Sequence, residues 1–328
     1  MAKPRISILT PVINVEKYIG ETIQSVLSQS YKDWEMIIMD GASKDRTVEI
    51  AKSYAVKHPN IRVYSEKDEG SWHAFDKMFD LAEGEYITNL CGQDGFLDRD
   101  WLKACIEVFD RDPEVALVWG LAQSMTLDGK LIQETHISYS QFMEKQGPLT
   151  GLKNLISKGL NVAHDLIFAG AQRRKFLLQK LFSRSSALRL SLLASRNFKG
   201  GHIPQKQEWF DYWLKTGLVF PDQSMIVSKK VWLDCIPRYQ LGRPTVGYLM
   251  DFFYDINTRG YLSYYLPVFA MYSRIHPGAS GERAGEELHT SFLAYLERVS
   301  DFNKKLKREH GTIMFHNRDG KEIGSRTY

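Results

Sequence analysis

Short apolar runs alternate with amphipathic segments along the first third of the chain. The runs with the length and composition of buried strands are residues 6–10, 34–40, 61–65, 86–90 and 115–119. Helical spacing of apolar residues follows the first run, at Ile19, Ile23, Val26 and Leu27. We expect Glu21, Gln24 and Gln29 to face away from the sheet, and Pro11 to end the first strand. The alternation predicts an α/β fold with a mostly parallel central sheet flanked by helices.

The second half of the chain adds further elements to this core. Residues 220–230 predict a strand that enters a helix, and residues 248–257 predict another helix. A charged amphipathic helix is predicted at residues 286–307, docked on the core or on a second subunit in a homo-oligomer. Residues 310–328 are polar, which predicts a loosely ordered tail.

These patterns divide the chain into parts with different expected roles. We predict a core domain at residues 1–285, interrupted by a basic helical insert at about residues 138–215. The C-terminal helix and polar tail then occupy residues 286–328.

Composition and charge limit the classes of protein that need to be considered. The formal net charge is +4, too small by itself to indicate nucleic-acid binding. The three cysteines are scattered, without a paired metal motif or a disulfide framework. The uncharged run at residues 261–273 is shorter than the roughly 20 residues of a membrane span. The sequence therefore predicts a cytoplasmic protein.

The positive charge is concentrated in the insert. No acidic residue occurs between Leu166 and Gln207, whereas residues 173–199 contain many lysines and arginines. Leucines at helical spacing in this segment predict that it lies on an anionic membrane surface, with the protein peripheral at the inner face. Packing of the leucines on the core domain is an equal alternative. Nucleic acid is a poor third, because the few aromatic residues there do not form a stacking platform.

Three carboxylates follow predicted strands, namely Asp40, Asp68 and Asp94. Each one alone is equally well explained as an ordinary turn residue. The carboxyl ends of parallel strands meet at one edge of the sheet, where ligands bind in open α/β folds. Like charges gathered there repel each other unless a cation or hydrogen-bond donors are present. A nucleotide supplies the donors, and a divalent cation supplies the charge.

Four sequence blocks carry a family resemblance. Thr10-Pro11, residues 40–47, residues 68–77 and residues 84–87 ahead of Asp94 resemble, in order and spacing, the inverting family 2 glycosyltransferases of the GT-A fold. The resemblance covers about residues 5–125. It implies a nucleotide-sugar donor, with a UDP-sugar as the expected one. The implied acceptor is a hydroxyl of a saccharide or lipid-linked saccharide in cell-surface polysaccharide or glycan biosynthesis.

The resemblance also implies roles for individual residues. Asp94 would hold Mn²⁺ or Mg²⁺ on the diphosphate, and Asp251 would be the general base, with Asp255 as the competing candidate. The residues implied in donor binding are Thr10, Pro11, Asp40, Asp68, Gln93, Asp94, Arg274 and His276. Without the resemblance, Asp251 is explained by the helix dipole, and Arg274 and His276 by an ordinary surface loop.

One departure from the family pattern bears on the metal. The chain has Gln93-Asp94 where family members usually carry two adjacent acidic residues, and a glutamine is a poor ligand for a hard cation. This departure and the basic insert suggest an alternative, a non-catalytic module that binds nucleotide sugars or membranes. A sugar-nucleotide pyrophosphorylase is disfavoured, because residues 10–13 offer no glycine-rich phosphate loop.

Overall fold

A computed structural model describes residues 3–131, 205–217, 224–236, 245–274 and 285–328. The basic segment at residues 173–199 and His276 lie outside the described residues. Within these ranges the helices are α1 (Ile19–Leu27), α2 (Thr47–Ala55), α3 (Ser71–Leu81), α4 (Trp101–Arg111), α5 (Gln207–Thr216), α6 (Lys229–Cys235), α7 (Thr245–Thr258) and α8 (Gly285–Arg308). The strands are β1 (Ile6–Val12), β2 (Trp34–Asp40), β3 (Ile61–Ser65), β4 (Tyr86–Asn89), β5 (Gly95–Phe96), β6 (Val115–Met125), β7 (Met225–Ser228), β8 (Leu262–Arg274), β9 (Thr312–His316) and β10 (Glu322–Thr327).

The central sheet has the strand order β3-β2-β1-β4-β7-β6-β8-β5. Strands β1 to β4 pair in parallel, and β6 pairs in parallel with β8. Strand β7 is antiparallel to both of its neighbours, and the short β5 is antiparallel to β8. β1 and β2 are buried along their whole length, as their continuous apolar runs predict. The predicted α/β fold with a mostly parallel sheet is confirmed.

Strand β1 differs from the prediction at its end. It continues through Pro11, which lies opposite Met39 of β2, and ends at Val12. Pairing of β1 with β4 stops at Leu9 opposite Asn89, so β1 is paired on one side only at the proline. The missing N–H therefore costs little, because proline is tolerated where one side of a strand is unpaired.

Helices cover both faces of the sheet. The side chains of α1, α2 and α4, among them Ile23 and Phe109, form one core with the sheet. On the opposite face, α3, α5, α6 and α7 form a second core that includes Met78, Trp213 and Phe252. Helix α5 lies at the C-terminal end of the predicted insert, and its aromatic side chains are part of this second core.

A polar residue just beyond helix α1 is buried, although we expected it at the surface. Gln29, just beyond the helix, is completely buried, so its predicted orientation is wrong. Its Nε2 donates to the carbonyl of Asp98 at 2.7 Å, and its Oε1 accepts the N–H of Leu102 at 3.1 Å. Burial is tolerated because both halves of the amide have hydrogen-bond partners.

The C-terminal region docks on the core. Helix α8 buries Tyr295 and Val299 against α5 and α7. The expected loose tail is wrong, because β9 and β10 form an antiparallel hairpin. Its buried Ile313 and Phe315 alternate with exposed positions, which is the pattern of a strand with one face on a core. Among the described residues, no helix has the length and apolar character needed to cross a membrane.

Candidate active site

The loops that follow β1 and β2 are bound to each other. The backbone N–H of Asn14 donates to Ser43 Oγ at 2.7 Å, and Asn14 Oδ1 accepts the N–H of Lys44 at 2.9 Å. One step further, the N–H of Val15 donates to Thr47 Oγ1 at 2.8 Å. These bonds fix the loops that follow two strands with predicted donor-binding residues, at the carboxyl edge of the parallel strands.

Asp40 organises the turn after β2. Its carboxylate is completely buried and accepts hydrogen bonds from Ser43 N–H at 3.0 Å, Ser65 Oγ–H at 2.7 Å and Ser43 Oγ–H. Ala42 has φ of 64°, a left-handed conformation that a non-glycine residue adopts at some energetic cost. The carboxylate of Asp40 therefore compensates a strained turn, and its contact with a donor stays a prediction.

Asp68 lies directly against that turn. A β-carbon on Gly41 would stand 2.7 Å from Asp68 Oδ2, so the carboxylate packs on the bare backbone of the glycine. Asp68 Oδ1 also accepts the N–H of Gly70 at 2.9 Å, ahead of helix α3. Asp68 is only partly buried. The structure thus brings Asp40 and Asp68 together, with Asp68 as the more exposed of the two.

Asp94 lies in the turn after β4. Its side chain is 1% exposed, and its Oδ1 accepts the backbone N–H of Arg274 at 2.9 Å. Its carbonyl accepts the hydroxyl of Thr22 from α1 at 2.7 Å. The same turn packs on β1, since a β-carbon on Gly92 would stand 2.5 Å from Val12 Cγ1. Val12 is in turn paired with Asp40, so all three carboxylate loops meet at one edge of the sheet.

The guanidinium of Arg274 is buried beside this turn. It donates from Nε to the carbonyl of Gln93 at 3.3 Å and from Nη2 to Glu21 Oε2 at 2.5 Å. Its Nη1 donates to the carbonyls of Thr126 and Leu127, both at 3.3 Å. The side chain is 2% exposed, so these contacts clamp the turn that carries Asp94. Direct contact of Arg274 with a diphosphate stays a prediction.

Thr10 and Pro11 are inside the end of β1. Thr10 is fully buried, and its Oγ1 has no hydrogen-bond partner among the described residues. A buried hydroxyl without a partner is costly in a native fold. The roles of Thr10 and Pro11 in donor binding stay predictions, as does that of the Gln93 side chain.

Helix α7 packs beside the Asp68 loop. Tyr248 stacks on Trp72 of α3, with ring centroids 4.6 Å apart and planes 10° from parallel. Asp251 follows about one helical turn after Tyr248 and forms an ion pair with Arg298 of α8. Burial raises the pKa of Asp255, while Arg259 and Arg298 act in the opposite direction. The helix with both candidate bases therefore packs through an aromatic stack on α3, the helix that follows the Asp68 loop.

The residues at the edge of the sheet are compatible with a divalent cation. Within the part of the chain that the structure describes, no group of three His, Cys, Asp or Glu side chains is arranged to hold a metal ion. A complete protein cage is not required, because Mg²⁺ is commonly bound through one or two carboxylates together with substrate phosphates and water. Asp94 would supply one such carboxylate, and the substrate would supply most of the other ligands.

Several supporting residues were not identified from the sequence. Glu21 and Thr22 hold Arg274 and the Asp94 turn from α1, and Arg298 holds Asp251 from α8. Helical periodicity marks Thr22 as buried but gives no sign of its partner. The other two pairs join residues more than forty positions apart, which no local pattern reveals.

Comparison with protein families shows to which family this chain belongs. The model of the family described as glycosyl transferase family 2 matches residues 7–182, more than half of the chain. This chain belongs to that family. The predicted resemblance is therefore confirmed, and the match begins in β1 and includes the Asp40, Asp68 and Asp94 loops.

Curated relatives of this family 2 chain match it over part of their length. Chondroitin synthase of Escherichia coli is 33% identical over 129 residues, which are 39% of this chain and 19% of that protein. The putative teichuronic acid biosynthesis glycosyltransferase TuaG of Bacillus subtilis (strain 168) is 39% identical over 108 residues, 32% and 40% of the two chains. A dolichyl-phosphate-sugar glucuronosyltransferase of Methanococcus voltae is 30% identical over 146 residues, 40% and 45% of the two chains. The matched region is thus less than half of each relative.

Solved structures share the fold at low sequence identity. TarS residues 1–349 of S. aureus, in complex with UDP-GlcNAc, has a TM-score of 0.51 and 14% identity, covering 94% of this chain and 73% of that one. The mannosyltransferase PcManGT of Pyrobaculum calidifontis, in complex with GDP-Man and Mn²⁺, has a TM-score of 0.51 and 15% identity, with coverage of 91% and 65%. At such identity the likeness establishes the fold alone, and the predicted GT-A fold is confirmed.

Proposed function

We propose that this family 2 chain is an inverting glycosyltransferase. It moves a sugar from a nucleotide-sugar donor to a hydroxyl of a saccharide or lipid-linked saccharide. The observation that carries the proposal is the meeting of the Asp40, Asp68 and Asp94 loops at one edge of the parallel strands. The family match over the same loops supports it.

The donor would bind across these loops. Asp68 is the better placed of the two nucleotide-side carboxylates, because it is partly exposed while Asp40 is buried in its own turn. Asp94 would hold a divalent cation, Mn²⁺ or Mg²⁺, which stabilises the negative charge of the departing diphosphate. The complexes of TarS with UDP-GlcNAc and of PcManGT with GDP-Man and Mn²⁺ support this class of ligand, with a UDP-sugar as the expected donor.

The transfer itself needs one base. The acceptor hydroxyl attacks the anomeric carbon from the face opposite the nucleotide, and the carbon–oxygen bond to the diphosphate breaks. The nucleoside diphosphate leaves with the bonding electron pair, and Asp251 takes the proton of the acceptor. An inverting transfer requires no covalent intermediate, so a single carboxylate is sufficient.

The acceptor and cellular setting come from the relatives and the sequence. The names of the relatives from B. subtilis and M. voltae concern teichuronic acid and a dolichyl-linked sugar, which supports a role in cell-surface polysaccharide or glycan biosynthesis. A cytoplasmic location, peripheral at the inner face of a membrane through residues 173–199, stays a prediction of the sequence. A homo-oligomer is likewise untested.

A donor screen tests the first half of this proposal. The purified chain is heated with each of a panel of UDP- and GDP-sugars, with and without Mn²⁺. A donor present at about 100 times its Kd stabilises the folded state by about 2.7 kcal/mol, which raises the melting temperature measurably. We expect a rise with at least one UDP-sugar that is larger when Mn²⁺ is present. No rise with any nucleotide sugar would contradict the proposal.

Substitution of the base tests the second half. Asp251→Asn is expected to keep the donor-induced rise in melting temperature and to lower transfer by about 10²- to 10⁴-fold. Asp301→Asn on α8, at an exposed carboxylate paired with Lys304, is the matched control and should transfer at the wild-type rate. Donor binding without turnover in the wild-type chain, even with candidate acceptors, would instead favour the non-catalytic module. The single carboxylate at Gln93-Asp94 is the observation behind that alternative.

A further inference from the structure

Helix α8 contacts the candidate base Asp251, and both lie beyond the part of the chain that the family model matches. The family model ends at residue 182, whereas α8 spans Gly285–Arg308. From this helix, Arg298 Nη1 donates to Asp251 Oδ1, and the two side chains form an ion pair. The C-terminal helix thus contacts the side chain to which we assign proton transfer.

Arg298 is itself held in place. Its guanidinium carbon lies 4.0 Å from the ring centroid of Tyr254, within the range of a cation–π interaction. Tyr254 belongs to α7, as does Asp251, so the arginine contacts two side chains of that helix. The Arg298 side chain is 43% exposed, and its two contacts, with a carboxylate and with a ring, orient the guanidinium.

The helix that carries Arg298 is fixed to the core. Tyr295 is 1% exposed, and its hydroxyl accepts the indole N–H of Trp213 from α5 at 2.7 Å. Val299 is completely buried, and Asn303 Nδ2 donates to the carbonyl of Leu214 at 3.0 Å. Arg298 therefore projects from a rigid support, as required of a residue that positions a functional group.

The contact distinguishes the two carboxylates of α7. Arg298 Nη1 donates a hydrogen bond to Asp251 Oδ1, and a charge-assisted bond of this kind holds the carboxylate in one orientation. Burial raises the pKa of the Asp255 carboxyl, and Arg298 acts on that carboxyl through its charge, which lowers the pKa. One hydrogen bond from arginine uses only part of the accepting capacity of a carboxylate, which has about four lone-pair sites.

We propose that Arg298 is a positioning residue, which fixes the orientation of the Asp251 carboxylate toward the acceptor hydroxyl. This inference rests on the proposed function of Asp251. Arg298 does not exchange a proton in the reaction, and its contribution is to keep the base in its reactive orientation. Misplacement of a reacting group by about 1 Å is enough to lower a rate about a hundredfold.

Kinetics of Arg298 variants test the proposal. Arg298→Met removes the charge and the donors but keeps an unbranched chain, and Arg298→Lys keeps the charge. For Arg298→Met we expect kcat to fall about 10- to 100-fold with the KM for the donor within about twofold of wild type. Arg298→Lys should recover part of the loss. The melting temperature should change by less than about 3 °C, because partly exposed ion pairs contribute little to stability.

A double substitution separates positioning from structural support. In the Asp251→Asn background, Arg298→Met should cause no further loss, because the group that it positions is already disabled. Equal losses in the two backgrounds would overturn the proposal and show that Arg298 only supports the packing of α8. A kcat within twofold of wild type for Arg298→Met would overturn it as well. Arg308→Met is the matched control on the same helix, at an exposed arginine beside Glu309.

The failure of this inference is distinguishable from failure of the proposed function. If Asp251→Asn transfers sugar at the wild-type rate, the base assignment is wrong and Arg298 has no base to position. If Asp251→Asn is inactive while Arg298→Met is fully active, the proposed function stands and the role of Arg298 falls.

Discussion

Replacing Gly41 by alanine tests whether the contact between the Asp40 turn and Asp68 belongs to the donor site. Gly41 is not in the left-handed region, so the backbone tolerates alanine and the effect comes from the new methyl group alone. That methyl would stand 2.7 Å from Asp68 Oδ2 and 3.1 Å from both Asp68 Cγ and Oδ1. The carboxylate must therefore swing away to the 3.4 Å at which ordinary contacts begin.

The expected loss follows from what Asp68 would contribute to donor binding. A hydrogen bond with a charged group contributes about 1.5–3 kcal/mol, which corresponds to a factor of about 10 to 100 in affinity. We expect Gly41→Ala to raise the Kd of the donor by this factor, measured by isothermal titration calorimetry with Mn²⁺. The free energy of unfolding should change far less than the binding free energy, because the displaced side chain is partly exposed.

A second glycine provides the control. A β-carbon on Gly20, inside α1, would meet only the hydroxyl of Tyr54 at 3.6 Å. Gly20→Ala should therefore keep donor affinity and stabilise the helix by up to about 1 kcal/mol. Donor affinity that is unchanged in Gly41→Ala, while the variant is folded, would refute the placement of Asp68 in the donor site.

Three further predictions concern stability. Gly84→Ala should lower the free energy of unfolding in urea by about 1–3 kcal/mol, because its methyl would stand 2.6 Å from the backbone nitrogen of Ser7; an unchanged midpoint would contradict the close packing of that loop on β1. Asp255→Asn should stabilise the protein near pH 7, because burial raises the pKa of the Asp255 carboxyl and makes its ionised form unfavourable in the folded protein. In the wild type, this carboxyl contributes stability below its unfolded pKa and loses that contribution as the pH rises through its folded pKa. The gain from asparagine should therefore disappear in acid. A gain that persists at pH 3 in thermal unfolding would contradict this sign. Phe315→Ala should cost about 3–5 kcal/mol because the ring is 2% exposed, whereas Met314→Ala, 38% exposed, should change stability by less than about 0.5 kcal/mol; equal effects would show that β9 is not docked.

The N-terminal half of the fold was predictable from its sequence pattern. Strands β1, β2 and β4 are compact, mainly apolar runs that are fully buried, and α1 and α3 have clear apolar faces. Strands and helices that alternate and are joined by short loops can pack in only a few topologies. The positions of Asp40, Asp68 and Asp94 after their strands followed directly from this regularity.

The C-terminal half was harder to predict because its signals depend on tertiary partners. Strand β8 contains Pro267 and several tyrosines, and its pairing with β6 and β5 defines it as a strand. The hairpin of β9 and β10 looks polar because just one of its faces is buried. Its alternation at Ile313 and Phe315 and the Asp319-Gly320 turn were present in the sequence, and their significance was missed.

The candidate site was predictable in its carboxylates but not in their supports. Strand-following acidic residues are visible in a single sequence. The bonds from Arg274 to Glu21 and from Arg298 to Asp251 join distant segments, and their partners are set by the packing of α1 and α8. The burial of Gln29 was mispredicted for the same reason, since its partners are Asp98 just before α4 and Leu102 in the first turn of α4.

Release of nucleoside diphosphate from a nucleotide sugar tests the central claim most directly. The donor that binds in the thermal screen is incubated with Mn²⁺ and the wild-type chain, Asp94→Asn, or Asp100→Asn as the control. Asp100 is exposed, and its side chain makes no cap bond to α4. We predict slow release by the wild type and Asp100→Asn, and a loss of at least about 100-fold in Asp94→Asn. Release at the wild-type rate by Asp94→Asn would contradict the account.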